Sequence, residues 1–144
     1  PYLFLIFIIF LQIIIRAFVS GLDAGKIYQT WPMMGEAYFP DDFSINNLKN
    51  IIEFNNHSLV QFYHRNLAYL IIFYILFLTI YILKKKLFYL YTPLKILLFF
   101  LVIQAILGIF TLVSGLNIYL ASSHQITSIL LVFSALNLYY FTAK

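Results

Sequence analysis

The chain consists of four long apolar runs separated by three more polar connections. The runs cover about residues 2–20, 59–83, 93–115 and 120–142, and they lack the alternating apolar and polar positions of a half-buried strand. Each run has roughly the 20 residues that a helix needs to cross a hydrocarbon layer about 30 Å thick. Four strands would be too few to close a barrel and would leave backbone groups unpaired in lipid. We therefore predict an all-α membrane protein, a bundle of four transmembrane helices.

The composition excludes the other broad classes of protein. Hydrophobic residues make up 63% of the 144 residues and charged residues only 10%, against about 45–50% and about 25% in ordinary soluble domains. A soluble globule of this length has too little interior to hide so much apolar surface, and disorder requires the opposite composition. The basic residues are few and scattered, so nucleic acid is not an expected partner. Without cysteine, neither a disulfide framework nor thiolate metal ligation can form.

The first apolar run is interpreted as a membrane span. It has neither the basic segment nor the small-residue cleavage site of a signal peptide. Because the sequence starts at Pro1 rather than Met, we expect a fragment or a processed product. Residues 1–144 are predicted to form one domain, with an outer loop over residues 21–58.

Charge is distributed unequally among the connections, and this predicts the orientation in the membrane. Residues 84–86 are three consecutive lysines, which the positive-inside rule places on the cytoplasmic side, or in the matrix of a mitochondrion. The 21–58 loop and the 117–119 turn then lie outside. Because the loop is long and contains apolar residues, we expect it to fold back over the outer end of the bundle as a lid. The loop contains all the acidic residues: Asp23, Glu36, Asp41, Asp42 and Glu53.

Two histidines occur at matching depths in the predicted spans. His64 lies about five residues into the second span and His124 about four residues into the fourth, roughly 8 and 6 Å below the outer surface. Parallel helices can lie diagonally across a four-helix bundle, at a separation that suits a flat macrocycle, and haem iron accepts two axial imidazoles. The alternative is two unrelated histidines, each bonded to a neighbouring helix. A zinc site would require about four ligands, and a proton relay usually requires carboxylates, which the spans lack.

Other polar residues near the histidines have more than one interpretation. His57 is predicted to lie at the water interface, about 10 Å along the helix from His64. Arg65 either pairs with a haem carboxylate or extends to outer headgroups. Arg16 is also predicted to extend from the outer end of the first span to headgroups. Gln12 and Gln104 are expected to form hydrogen bonds between helices.

Small residues in the third span suggest that another group approaches this helix closely. Gly108 and Gly115 are seven residues apart on one helical face. Residues without a bulky side chain allow a neighbouring backbone or a flat cofactor to come near. The sequence leaves both uses open.

Five motifs, taken in order, resemble the C-terminal half of the haem A synthase family. The resemblance is to the cysteine-free type of alphaproteobacteria and mitochondria, and it covers nearly the whole chain. One departure is Arg16, where the family usually has glycine, and an arginine there could crowd a helix contact. The motifs are GLDAGK (21–26), WPMMG (31–35), LVQFYHR (59–65), QAILGIFTL (104–112) and LASSHQ (120–125).

The resemblance implies an enzyme of cytochrome oxidase assembly. The family has eight spans in two similar halves and oxidises a methyl group of haem O to the formyl group of haem A. Its C-terminal half holds haem b (iron protoporphyrin IX), ligated by two histidines that correspond to His64 and His124. Six-coordinate iron suits electron transfer or a structural role.

The resemblance also implies partners and a location. The partners are haem O, the missing N-terminal half, the lipid bilayer, haem O synthase and an electron donor. The location is the bacterial cell inner membrane, with the mitochondrial inner membrane as the alternative. Because the N-terminal half holds the substrate site, this half alone is not expected to be a competent enzyme. The alternative functions are a non-enzymatic membrane cytochrome b-type electron carrier and a haem-free structural or transport protein.

Overall fold

The structure is a computed structural model that describes residues 1–41 and 55–142. Within these residues it contains four long helices and no strand beyond one isolated bridge. All four helices are long and apolar enough to cross a membrane, which confirms the predicted fold class. Their ends lie within two residues of those predicted. The helices are α1 (Tyr2–Gly21), α2 (His57–Lys84), α3 (Tyr91–Val113) and α4 (Ile118–Thr142).

Local sequence explains where the helices begin and end. The side chain of Asn56 caps α2 by accepting a hydrogen bond from the Leu59 N–H at 3.0 Å. A 3₁₀ turn, Phe88–Leu90, leads directly into α3. Pro93 is tolerated in the first turn of α3, where a backbone N–H has no intrahelical partner.

The short α3–α4 connection is a compact turn. Gly115 has a φ of +71°, the left-handed conformation that ends many helices. The Leu116 N–H donates to the Thr111 carbonyl at 2.9 Å, as in a Schellman motif. Asn117 then caps α4 by accepting from the Tyr119 N–H at 3.0 Å. The two helices therefore run antiparallel and pack along much of their length.

The helices form a ring in chain order. The closest packing is between α3 and α4, and α1 packs against both α2 and α4, whereas α2 meets α3 only slightly. No substantial contact joins α2 to α4. The two helices that contain His64 and His124 therefore lie across the bundle from each other, the diagonal arrangement that the sequence analysis considered for two parallel helices.

The apolar core occupies only one half of the bundle. It lies towards the end with the lysine turn, here called the inner end. Towards the opposite, outer end, the buried positions include Gln61, Thr111 and Ser128. The outer half therefore combines these polar positions with buried apolar side chains outside the main cluster, among them Ile15 and Leu59. The core residues are Leu5, Ile8, Ile9, Ile71, Ile75, Leu78, Ile82, Leu90, Leu94, Leu97, Leu101, Leu131, Ala135 and Leu138.

The described part of the outer loop folds back over the outer end. A 3₁₀ turn, Ala24–Lys26, follows α1, and Ala24 and Gly25 are buried. A Cβ at Gly25 would lie 3.0 Å from the Leu116 Cδ2, so glycine allows the loop to approach the α3–α4 turn. The predicted folding of the loop over the outer end is confirmed for residues 21–41, whereas its covering of a haem edge remains a prediction. The rest of the predicted lid, residues 42–54 with Asp42 and Glu53, lies outside the described residues.

Candidate functional site

His64 projects from α2 and is contacted by a glutamine of α1. The Gln12 Nε2 lies 3.1 Å from the His64 Nδ1, and it also donates to the His64 carbonyl at 2.9 Å. The same nitrogen lies 3.5 Å from the His64 Nε2. The predicted interhelical contact of Gln12 is confirmed. It restrains both the position of α2 relative to α1 and the orientation of the His64 ring.

His124 occupies a corresponding place on α4 and packs against α3. The Gln104 Nε2 lies 3.5 Å from the His124 Nε2, and the Gln104 Oε1 accepts from the Thr127 hydroxyl at 2.6 Å. A Cβ at Gly108 would lie 3.0 Å from the His124 Cε1. The missing side chain at Gly108 therefore makes room for the imidazole ring, and Gln104 makes the interhelical contacts predicted for it.

One nitrogen of His124 has no hydrogen-bond partner in the part of the chain that the structure describes. Its Nδ1 is buried and has no hydrogen bond with any described residue. Such groups are uncommon because an unpaired buried polar atom loses its hydration without compensation. An imidazole with one nitrogen near an amide and the other unpaired has the donor set of a metal ligand, since either ring nitrogen can bind metal. The residues therefore fit the implied iron of a haem.

Arg16 lies inside the bundle, between the two histidine-bearing helices. From α1 its Nη1 donates to the Ser128 Oγ at 3.5 Å, and its Nη2 donates to the Ala121 carbonyl at 3.4 Å. The side chain is partly buried. The prediction that Arg16 extends to lipid headgroups is wrong. Because α1 packs between α2 and α4, the face of α1 that presents Gln12 points into the bundle. Arg16 lies on the same face, one helical turn closer to the outer end, and therefore also points inwards.

Arg65 holds the outer loop against α2. Its Nη1 donates to the carbonyls of Thr30 and Met33 at 2.9 and 3.2 Å, and its Nη2 donates to the Tyr28 carbonyl at 2.8 Å. Gln61 donates to the same Tyr28 carbonyl at 2.8 Å. The Arg65 Nε is buried without a hydrogen bond to a described residue and could serve another acceptor. The predicted haem-carboxylate contact of Arg65 remains a prediction.

The sequence-based reasoning missed the contact between Gln61 and the loop. Its glutamine belongs to the LVQFYHR motif, but its partner is a backbone carbonyl more than 30 residues earlier. Carbonyls carry no residue-specific signal, so only the motif itself pointed to this position. His57, at the start of α2, is exposed, as predicted for an interfacial residue.

The histidines form a pair rather than part of a larger metal cluster. Among residues 1–41 and 55–142, no group of three or more His, Cys, Asp or Glu residues could hold a metal ion. A tetrahedral zinc site usually requires about four ligands, so this arrangement does not favour one. Two imidazoles from opposite helices are what bis-histidine haem ligation requires.

Comparison with known proteins identifies the family. The family model described as cytochrome oxidase assembly protein matches residues 2–136. The chain belongs to this family. This confirms the family recognised from the motifs.

Several relatives in the family are named haem A synthase. The protein from Pelagibacter ubique is 46% identical over 140 residues, which cover 93% of this chain and 40% of the relative. The protein from Wolbachia pipientis wMel is 39% identical over 129 residues, which cover 90% and 35%. That from Bartonella tribocorum is 35% identical over 122 residues, which cover 84% and 34%. This chain therefore spans about two fifths or less of each relative. No solved structure matches it.

Proposed function

We propose that this chain is the haem b-binding half of a haem A synthase, with His64 and His124 as the two axial ligands. The main support is the arrangement of His124, whose ring rests on Gly108 and whose Nδ1 is buried without a described partner. His64 lies on the helix opposite, at the same polar end of the bundle. A haem held by two imidazoles supplies one-electron transfer.

Neighbouring residues would set the orientation of the two imidazoles. Gln12 contacts the His64 ring and also bonds its carbonyl, so rotation of that ring would break a contact within the membrane. Gln104 is itself oriented by Thr127 and faces the His124 Nε2. Partners of metal-ligating histidines commonly tune ligand orientation and affinity in this way.

Arg65 would act mainly at the mouth of the site. Its terminal nitrogens bind loop carbonyls, so it would keep the loop over the outer end of the bundle. Its buried Nε, which has no hydrogen bond to a described residue, would be available to the haem carboxylate that the sequence suggested.

The complete protein would oxidise the methyl group of haem O to the formyl group of haem A. The names of the relatives and the family resemblance support this activity, its substrate and its partners. The partners would be an N-terminal half with the substrate site, haem O synthase and an electron donor. The protein would lie in the bacterial cell inner membrane, or in the mitochondrial inner membrane as the alternative. The relatives' names do not favour a non-enzymatic cytochrome b-type carrier.

Haem content and complementation test the proposal separately. We expect the chain, purified in detergent from cells that make haem, to contain haem b with a low-spin spectrum when oxidised and when reduced. We also expect haem A to form from haem O only when the four-span partner half from a relative is co-expressed. A purified, folded chain that neither contains nor takes up haem b would overturn the cofactor assignment. Haem binding without haem A formation in the combined protein would favour the electron carrier.

A further inference from the structure

Arg16 presents a charged group inside the membrane-spanning part of the bundle. It lies five residues before the end of α1, about 8 Å below that end. Both of its hydrogen bonds go to neutral oxygens, at 3.4 and 3.5 Å, the long end of the usual range. Within the described ranges, the observed ion pair joins Lys26 to Asp23 in the loop, and none involves Arg16.

An uncompensated guanidinium in a span has a large desolvation cost. Ionisable side chains within spans usually pair with an opposite charge or line a functional site. A carboxylate matches a guanidinium particularly well, because the planar fork can donate two parallel hydrogen bonds. Among the described residues, Arg16 thus has no ion pair with a carboxylate, the kind of group that would best compensate its charge.

The position of Arg16 relates it to both histidines. One turn further in, on the same face of α1, Gln12 contacts His64. On the neighbouring helix α4, the two residues that Arg16 contacts are Ala121 and Ser128, which lie three residues before and four residues after His124. They therefore lie about one turn on either side of it along α4. The guanidinium thus lies against α4 at about the level of His124, in the outer half of the bundle.

We propose that Arg16 binds a carboxylate of the ligand held between His64 and His124. This inference rests on the proposed haem site. Iron protoporphyrin has two carboxylate side chains on one edge, and an amphipathic ligand in a membrane places its charged edge towards water. Arg16 is a cation turned into the bundle near that end of the site, and both of its described hydrogen bonds go to neutral oxygens of α4. It would exchange its long contacts with Ala121 and Ser128 for a charge-assisted bond to the ligand.

The test compares haem with its dimethyl ester, in which both carboxylates are blocked. The affinities of the chain, in lipid nanodiscs, are measured for each form by spectroscopic titration. We expect Arg16→Gln to weaken binding of the free-acid haem by about 10- to 100-fold, as for loss of a charge-assisted hydrogen bond. Binding of the dimethyl ester should change less than about twofold, within the scatter of surface substitutions. Arg16→Lys keeps the positive charge but not the planar fork of donors. Its affinity for the free-acid haem should lie between those of the wild type and Arg16→Gln.

Lys26→Gln is the matched control. Lys26 is an exposed loop cation whose Nζ pairs with Asp23 of the same loop at 2.9 Å. We expect this loss of a positive charge to leave the affinity for both haem forms unchanged.

The outcomes separate this inference from the proposed function. Equal weakening of both haem forms by Arg16→Gln would overturn it, because a structural role, a carboxylate of the chain or a lipid phosphate would all give that result. No weakening of either form would also overturn it. In both cases, the assignment of His64 and His124 as ligands is unaffected if the wild-type chain still binds low-spin haem. Failure of the wild-type chain to bind either form would overturn both proposals.

Discussion

A single nitrogen of Gln12 joins α1 to His64. It lies 3.1 Å from the His64 Nδ1 and donates to the His64 carbonyl at 2.9 Å. One amide therefore restrains both the backbone of α2 and the imidazole at the same point. Because this contact lies beyond the outer edge of the apolar core, little other packing can replace it.

Replacing Gln12 by alanine should weaken haem binding without preventing folding. We expect about 10-fold weaker binding, at the low end of effects for partners of metal-ligating histidines. The helix contact itself should contribute only about 0.6 kcal/mol, a typical value for polar pairs in membranes. Haem titration and thermal unfolding in detergent would measure the two effects. Ile14→Ala, at an exposed position of α1, is the control and should leave haem affinity unchanged.

The axial ligands can be tested by removing each histidine. His64→Ala and His124→Ala should each open a coordination position, with loss of haem or a high-spin spectrum. His57→Ala should keep low-spin haem, because this exposed residue lies about 10 Å further out along α2. Absorption spectra of oxidised and reduced protein would show the spin state. Low-spin haem in both His64→Ala and His124→Ala would refute the assignment. Loss of haem from His57→Ala, together with an unaltered low-spin spectrum of His124→Ala, would also refute it.

The space left by the missing side chain of Gly108 should be as important for haem binding as the ligand chemistry of His124. A Cβ there would lie 3.0 Å from the His124 Cε1, so Gly108→Ala must displace the ring or separate α3 from α4. Overpacking of this kind costs about 1–3 kcal/mol, and we expect weaker haem binding by about 10-fold or more. Haem titration is the measurement. Gly21→Ala is the matched control, because nothing lies within 4 Å of its added Cβ. Equal affinities of the two variants would contradict the predicted crowding.

Arg65 should control access to the outer end of the bundle. Arg65→Gln removes a guanidinium that bonds the carbonyls of Tyr28, Thr30 and Met33. We expect faster cleavage of residues 21–41 by an added protease, because release of the loop exposes its backbone. Limited proteolysis with mass spectrometry would locate the cuts. Lys26→Gln, an exposed loop position, should cleave at the wild-type rate. Cleavage of Arg65→Gln at that same rate would argue against Arg65 as the anchor.

The predicted topology can be tested with single cysteines, since the chain has none of its own. A cysteine at Asp41 should react with a membrane-impermeant reagent added outside intact cells. A cysteine at Lys85 should react only after the membrane is opened, because the lysine turn is predicted to lie inside. Labelling in the opposite pattern would reverse the orientation of the bundle.

The sequence by itself determined the number of helices and their approximate ends. Long apolar runs must form helices in lipid, because no water is available to satisfy the backbone. It also placed His64 and His124 at matching depths, since the rise per residue of a helix is constant. Four antiparallel spans connected in sequence order allowed a diagonal arrangement of α2 and α4, and the helix packing decided it.

Only the tertiary structure decided where the two arginines point. At the outer end of a span, Arg16 could reach either headgroups or a neighbouring helix, and the packing of α1 between α2 and α4 turned it inwards. Arg65 bonds carbonyls of a loop more than 30 residues away. Backbone acceptors look the same at every residue, so no sequence pattern reveals such partners. Which groups meet in the polar half depends on helix rotation, which near-uniformly apolar surfaces specify only weakly.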